Sequence, residues 1–550
     1  MMQRGYVLIT VLILTLVASM VAFVSVRENL LQERMSGNQQ KMINARLAAE
    51  HGVADTLLRV RERVAAGDTV EQVVAALPRT VTLSDERGFH ISGGLYAAPR
   101  LSFISEGRYQ EAVARLKANL NLVIGKYPFN GGVISCEQLT LQGSGKIDSY
   151  DPTRGGYDTT LNAQSKSKVM VIDSGANENV LNGDAPIGGD VQVNGSLKLT
   201  GSSAVSGHVT TTGNLTLSGG KVSTGSADVG GNLVLAEASE SVAAITGQGN
   251  VAGNVTASPN ATVGALSYGG TLTNQNEWSP LKATKGALVR QPTPAPTLPS
   301  QACDPLNLQA STANYANLTS SGTIEGQHYI PGQPNQKSTY DITPSGAALF
   351  ADAAAASHGG AEPQAGVRPQ EVMVMGESTS AYVLDRLNLN GSTLNISGGD
   401  VTLIVKGDFL MEGGKPSINV ASGSSLTILV QGETNLGSNG AIYVADAGAA
   451  ANQNKPPLSI YSSNSSANGV VINGSFGKPD GRAVNSYAAL YAPYTDVNIN
   501  AGSSLSGAVR GKTVSVTGGS SLHYDESLDE VNKNKDLRRI QLVSMFDQLE

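Results

Sequence analysis

The sequence predicts a mainly β protein, with a parallel β-solenoid body carried on a long N-terminal α-helix and a small sheet. Three observations predict it. Glycine occupies positions 183, 189, 195, 201, 207, 213, 219, 225 and 231, an unbroken spacing of six. Short aliphatic pairs stand between these glycines, and Leu197, Leu215 and Leu233 recur with a period of 18. An uncharged apolar run from Tyr6 to Val26 passes directly into a stretch with helical spacing. A six-residue unit with a glycine corner and inward aliphatics, tripled to 18, describes one solenoid coil, and stacked coils bury a narrow aliphatic column.

Composition supports this class. Of 550 residues 63 are glycine, 15% are charged, 5% aromatic and 40% apolar. A disordered chain lacks that apolar content. Glycine supplies the positive φ and close backbone approach that tightly turned β-structure requires. The length implies two or three domains. A net charge of −7 leaves no basic field for nucleic acid. No CxxC pair, P-loop, HExxH, GxSxG elbow or GxGxxG in a βαβ unit is present, so no cofactor or metal site is expected.

Along the chain, the run Tyr6–Val26 is flanked by Arg4 and Arg27. As a helix it is about 30 Å long, enough to cross a bilayer core. Arg4 on the short side puts Met1 in the cytoplasm and the large body outside. A secretory signal would have a shorter apolar stretch and a small-x-small site, and none is obvious. Two readings remain, a plain single-span anchor and a prepilin-type leader. In the second, the basic leader MMQRG ends at Gly5, and a leader peptidase cuts between Gly5 and Tyr6.

The continuation carries Leu30, Leu31, Met35, Met42, Ala45, Ala48, Ala49, Val53, Leu57 and Leu58 at helical spacing. Together with the apolar segment, Gln32-Glu33-Arg34-Met35-Ser36-Gly37-Asn38 and Ala48-Ala49-Glu50, it resembles the N-terminal domain of the PilX family of minor type IV pilins, over roughly the first 60 residues. The resemblance implies a precursor in the inner membrane with its body in the periplasm, followed by a place at the cell surface or pilus tip. It implies as partners other pilins, the pilus assembly machinery and the prepilin peptidase. One position departs from the pilin pattern. Major pilins carry Glu at the fifth mature position, where this chain has Thr10. A carboxylate in lipid is costly unless paired, and in pilins the pairing group is the N-terminal amine of a neighbouring subunit. A chain with Thr10 cannot form that pair, which suits the filament tip or a priming complex. The plainer alternative is an anchor that never enters a filament.

Gly67, Pro78, Gly88, Gly93, Gly94 and Pro99 end the helix near residue 66, giving a first segment 1–66. Ala112, Ala114, Leu116, Ala118, Leu120, Leu122 and Ile124 stand at every second position, with Arg115, Lys117, Asn119 and Asn121 between them, as in a long half-buried strand. Residues 67–126 therefore read as a small pilin-like α/β segment. A glycine-rich solenoid follows over 127–280, opened by Leu139-Thr140-Leu141 and then Gly143 and Gly145. The carboxylates of Ile147-Asp148-Ser149-Tyr150-Asp151 are read as turn caps, since calcium takes six to eight oxygens. Gly249, Asn250 and Val251 continue the 18-residue register, which weakens from about residue 239.

Residues 281–305 are proline-rich and read as a linker or long loop. Residues 306–380 are mixed, with Ala347–Ala356 taken as a short helix. Alternation returns over 381–528 with irregular glycine spacing, predicting a second solenoid domain with larger coils. There Tyr491-Ala492-Pro493, Gly507-Ala508-Val509, Gly511-Lys512 and His523-Tyr524-Asp525-Glu526 resemble a domain of unknown function that closes many glycine-rich proteins, PilX-type ones among them. That resemblance implies a β-solenoid and no known activity. Leu528, Val531, Leu537, Ile540, Val543 and Phe546 predict an amphipathic helix over 529–550 that caps the last coil.

The two cysteines, Cys136 and Cys303, are free to form one disulfide in an oxidising compartment. Their spacing leaves that and two separate thiols both open.

Parallel β-helices often act on polysaccharides, and glycosidases need two carboxylates about 5–10 Å apart. The acidic residues Asp190, Asp228, Asp400 and Asp408 are scattered. His523 beside Asp525 and Glu526 is read as a strand end before a helix, where acids favour the N-terminus. The expected function is therefore non-enzymatic. The chain is expected to serve pilus assembly or tip display, presenting a solenoid to surface polysaccharide or host cells. The alternatives are a membrane-anchored carbohydrate-active enzyme and a structural envelope protein outside the pilus.

Overall fold

The computed structural model describes residues 4–66, 70–97, 100–125, 128–175, 177–236, 244–299, 301–326, 339–346, 348–351, 363–375, 377–437, 439–448, 455–479, 486–534 and 537–547. The chain divides into two compact units. One is Met1–Gly125 with Asp536–Glu550, and the other is Lys126–Lys535.

The first unit begins with α1, Arg4–Ala66, a single helix of 63 residues. At 1.5 Å per residue it is about 95 Å long. A short helix α2, Val70–Ala75, precedes the strands β1 (Arg79–Ser84), β2 (Arg87–Ile91), β3 (Leu95–Ala97), β4 (Arg100–Tyr109) and β5 (Ala112–Gly125). They form an antiparallel sheet in the order β1-β2-β4-β5, with β3 on the end of β4. The C-terminal half of α1 lies on this sheet. Ala45, Ala48, Ala49, Gly52, Val53, Thr56 and Val60 are buried there, over Phe89, Phe103, Leu116 and Leu120. The helix approaches closely because it is lined by small residues. A Cβ on Gly107 would lie 2.1 Å from the Ala45 carbonyl oxygen. Ser105 Oγ donates to the Ala49 carbonyl at 2.8 Å and ties strand to helix.

The last strand of this sheet comes from the far end of the chain. Leu537–Asp547 runs antiparallel along β5, Leu537 opposite Gly125 and Asp547 opposite Leu116. The predicted capping helix over 529–550 is thus replaced by a helix Ser527–Asn534 and this strand. The reason is twofold. The open edge of β5 needs a partner, and a register shift between Leu542 and Ser544 breaks the period-two pattern by which local reading finds strands.

The second unit is a parallel β-solenoid, and the chain enters it in the middle. Strand Val133–Gly143 has Glu178–Gly183 on one side and Ser504–Val516 on the other, both parallel to it. Lys146–Tyr150 is flanked by Ser521–Asp525, with Ile187 opposite Ile147 on the other side. One arm winds away from this first coil to Leu288–Arg290. The proline-bearing segment then carries the chain to the opposite end. A second arm winds inward from Gly322–Glu325 until Ser504–Val516 meets the first coil. The stretches 127–280 and 381–528 are in this way two arms of one continuous sheet.

One aliphatic column runs through both arms. Met411, Leu436, Ile472, Ile499 and Val516 pair in succession up to Leu141, which continues through Leu181, Leu199, Leu217 and Leu235 to Ala257. All are fully buried and belong to one core. Burying each leucine stabilises by roughly 1.5–3 kcal/mol. On the corner outside the column, side chains cap the next coil's backbone. Ser196 Oγ accepts from Asn214 N, Asn214 Oδ1 from Asn232 N, Asn232 Oδ1 from Asn254 N, and Asn254 Oδ1 from Thr271 N. The separations are 18, 18, 22 and 17 residues. Leu233 therefore pairs with Val255, not with the Val251 of a constant register, because the coil holding residues 237–243 is longer. Those residues lie outside the described ones.

In the second arm the coils are larger, and a separate four-stranded parallel sheet is built from Thr339–Ile342, Thr393–Ile396, Ser417–Val420 and Ala441–Val444. Of the alanine-rich stretch predicted as a helix, Ala348–Ala351 is a strand paired with Pro363–Val367, and its other residues lie outside the described ones. Strand pairing supplies the order that local alanine propensity does not decide.

Candidate functional site

Three places in the molecule carry the sequence-derived candidates. The first is the start of α1. Gly5 and Tyr6 lie in its first turn. From Val7 to Leu31 the large apolar side chains are exposed, Leu8 by 70% and Phe23 by 73%. From Val7 onward, the first buried side chain of α1 is Ala45. Among the described residues this is the one helix long and apolar enough to cross a membrane, its most apolar stretch having a mean hydropathy of 2.8. Thr15 is accommodated within it, its hydroxyl donating to the carbonyls of Val11 and Leu12 at 2.9 and 3.0 Å. Thr10 places a neutral hydroxyl on the same exposed surface.

The second place holds the chain's return segment against the solenoid. Cys136 and Cys303 are joined by a disulfide, with their Cα atoms 5.3 Å apart. Around it, buried Arg510 donates through Nε to the Cys303 carbonyl at 2.9 Å and through Nη1 to the Pro128 carbonyl at 3.2 Å. Its Nη2 donates to the Ala302 carbonyl. Asp304 accepts the hydroxyls of Tyr491 and Tyr494 and the backbone N–H of Leu306 and Leu308. Burial, then the Asp304 carboxylate, push the Tyr491 hydroxyl far above its ordinary range, so it stays a donor.

The third place is the closure between the two arms. His523 stands opposite Asp148 in the parallel pair of Ser521–Asp525 with Lys146–Tyr150. Its Nδ1 bonds to Asp148 Oδ1, and its Nε2 lies 3.1 Å from Ser521 Oγ and 3.5 Å from Ser504 Oγ. The Tyr157 ring stacks on the imidazole with centroids 3.4 Å apart and donates its hydroxyl to Asp148 Oδ2 at 2.9 Å. Lys146 Nζ is 2.7 Å from the same oxygen. Burial, the largest influence, holds the imidazole below its ordinary pKa against the pull of Asp148. Burial pulls the Asp148 carboxyl upward, but the hydrogen bonds from His523 and Lys146 outweigh it and leave it below its ordinary value. A neutral imidazole thus donates from Nδ1 to an ionised carboxylate and accepts at Nε2.

A serine, an imidazole and a carboxylate in this order match the nucleophile–base–orienter arrangement of hydrolases. Here His523 is 5% exposed and one ring face lies under Tyr157, so the group has no open face for a substrate. What it does is link the arms. Glu526 accepts from Ser149 Oγ and pairs with Lys166, and Asp529 pairs with Lys168. Asp525, beside His523 in sequence, instead accepts from Tyr487 and caps Ser527. The sequence pointed to His523 but not to Asp148, because the pair exists only through a strand register hundreds of residues apart. Among the described residues no group of three His, Cys, Asp or Glu side chains is arranged to hold a metal ion.

Comparison with known proteins agrees with the two ends of this description. Residues 4–54 match the PilX N-terminal family, and residues 333–531 match a domain of unknown function, DUF7305. No curated protein matches the chain. Among solved structures, the competence-associated pilin ComZ from Thermus thermophilus is similar at 14% identity, covering 93% of this chain and 98% of its own. Its TM-score is 0.27, too loose a superposition to equate the folds. The chain thus has the N-terminal segment of PilX-type minor pilins, joined to a body that includes this C-terminal domain of unknown function.

Proposed function

We propose that this protein is a minor pilin-like subunit that initiates or tips a type IV pilus and displays its solenoid for adhesion to surfaces. The observation that carries the reading is where the solenoid is attached. It is inserted between β5 and the C-terminal strand, two neighbouring strands of the helix-backed sheet. The N-terminal unit keeps its exposed apolar helix for the membrane or a filament, and the inserted body is what such a subunit would present.

In this reading the prepilin peptidase removes Met1–Gly5, leaving Tyr6 as the mature N-terminus. The inner membrane holds the precursor by the apolar half of α1. Thr10, without the charge that repeated stacking uses, directs the subunit to a terminal position. The six-residue glycine spacing sets the 18-residue coil of the first arm, supported by the Leu197–Leu215–Leu233 register. Stacked coils about 4.8 Å apart make a stiff projection. In this reading the body is structural and not catalytic, and the His523–Asp148 group serves the arm closure in which it is buried.

Mass spectrometry of the mature N-terminus tests the leader. Tyr6 supports the reading and an intact Met1 ends it. Deleting the gene should lower pilus number or adhesion. Unchanged piliation and adhesion would leave only a structural envelope protein outside the pilus.

A further inference from the structure

Trp278 is the only tryptophan in the chain and is 95% exposed. It lies in the last coil of the first arm, on the turn between strands Leu272–Asn274 and Lys282–Ala283. Large aromatic side chains normally bury their apolar area, and a lone indole left in water by a firmly held turn calls for an explanation.

The turn is firmly held. Trp278 N donates to Asn276 Oδ1 at 2.9 Å, and Leu281 N to Asn274 Oδ1 at 3.0 Å. Ser279 Oγ donates to Asn260 Oδ1 at 3.0 Å. Leu281, 4% exposed, anchors the turn in the core. These bonds also sort the chemistry around the ring. Asn260, Asn274 and Asn276 each spend their side-chain oxygen inside the turn. Among the described residues, none of their Nδ2 groups has an acceptor. Each Nδ2 carries two donor hydrogens, so donors are what this corner offers.

We propose that Trp278 and the amide groups of Asn260, Asn274 and Asn276 form a binding site for a neutral glycan. The inference rests on the reading of the solenoid as a displayed adhesive body and names its ligand class. The indole face takes the C–H face of a sugar ring. The free amides donate to its hydroxyl and ring oxygens, which are dense acceptors. Glu277, exposed and adjacent to Trp278 in the chain, disfavours acidic sugars and phosphate. One ring among amides is too small for a stable protein interface, which buries about 800 Å² per partner. It is also too polar for a membrane-inserting cluster.

The lone tryptophan makes the test direct, because emission from the full-length protein reports this residue alone. The protein is held in lauryldimethylamine oxide, a detergent without sugar. It is titrated with maltohexaose, cellohexaose, chitohexaose and mannohexaose, and in separate arms with heparin and with anionic phospholipid vesicles. A saturable emission change with a neutral hexasaccharide is expected. Asn276→Asp and Asn274→Asp keep the oxygen that holds the turn and remove the donor, and each should weaken binding at least tenfold at an unchanged Tm. No change with any neutral hexasaccharide, or a change only with heparin or vesicles, overturns the site. So does full binding in both Asp variants. Trp278→Ala should leave N-terminal processing and piliation intact, so failure of this site and failure of the pilin reading are told apart.

Discussion

Leu537 lies opposite Gly125 in antiparallel register, so the chain leaves the N-terminal sheet and rejoins it at one point, with the whole solenoid in between. The long edge of β5 is completed by the strand Leu537–Asp547. The N-terminal unit therefore has its full sheet only when the inserted body lets the C-terminal strand return.

That relationship predicts the effect of truncation. A chain ending at Asn534 keeps the solenoid and its helix Ser527–Asn534 but leaves β5 an open edge strand. Hydrogen exchange of β4 and β5 should accelerate at least tenfold, and limited proteolysis should cut within residues 100–125. Protection of the solenoid strands should be unchanged. Equal protection of β5 in the truncated and full chains would show that the returning strand is dispensable.

The disulfide pins the return segment at a sequence separation of 167 residues. Loop closure of that size contributes up to about 5 kcal/mol. Cys136→Ser with Cys303→Ser should lower the stability of the solenoid unit by about 2–5 kcal/mol in urea unfolding. Reducing the wild-type protein should shift its midpoint to that of the double variant. If reduction leaves the midpoint where it was, Arg510 and Asp304 hold the segment without the covalent link.

The arm closure predicts a pH dependence whose sign is fixed. His523 is held below its ordinary value by burial, so the unfolded chain takes up this proton first as pH falls. Its contribution is complete above about pH 6.5 and declines below it. Asp148 is also held low, by His523 and Lys146 against burial. Its contribution is complete above about pH 4 and is lost as pH falls through its folded value. Both act in one direction, so acid loosens the closure. The Tm should fall between pH 7.5 and 5, and His523→Gln should lower Tm at pH 7.5 by more than at pH 5. An equal loss at both values would mean that this imidazole does not titrate with unfolding.

Local pattern carried some of these features and was blind to others. The alternation around Leu116 and Leu120 gives β5 directly, and the leucine period of 18 gives the pairing of the first arm up to Leu233. Val251 was misplaced because a coil longer than 18 residues shifts the register without leaving a local mark. The pairing of Ser504–Val516 with Val133–Gly143, and with it Asp148 against His523, depends on contacts between distant segments. The strand Leu537–Asp547 was hidden for the same reason, since its partner is β5 and its register shift imitates helical spacing.

The corner glycines of the first arm give the sharpest separation of two physical causes. At Gly213 a Cβ would lie 2.7 Å from the carbonyl carbon and oxygen of Gly195, backbone of the preceding coil. Ser196 Oγ, 2.6 Å away, can rotate aside, but the Gly195 backbone cannot, so the coils would have to part and the Ser196 Oγ bond from Asn214 N would be lost or stretched. At Gly175 the backbone has φ of +53°, but a Cβ meets nothing within 4 Å. Gly175→Ala should therefore cost only the left-handed strain, about 1–2 kcal/mol. Gly213→Ala should cost about 3 kcal/mol or more, at or above the upper end of the usual overpacking cost, because fixed backbone atoms stand in the way. Urea midpoints of the two variants decide the matter. If the costs are equal, the six-residue glycine spacing reflects turn conformation, and if Gly213→Ala is much the worse, it reflects how closely the coils stack.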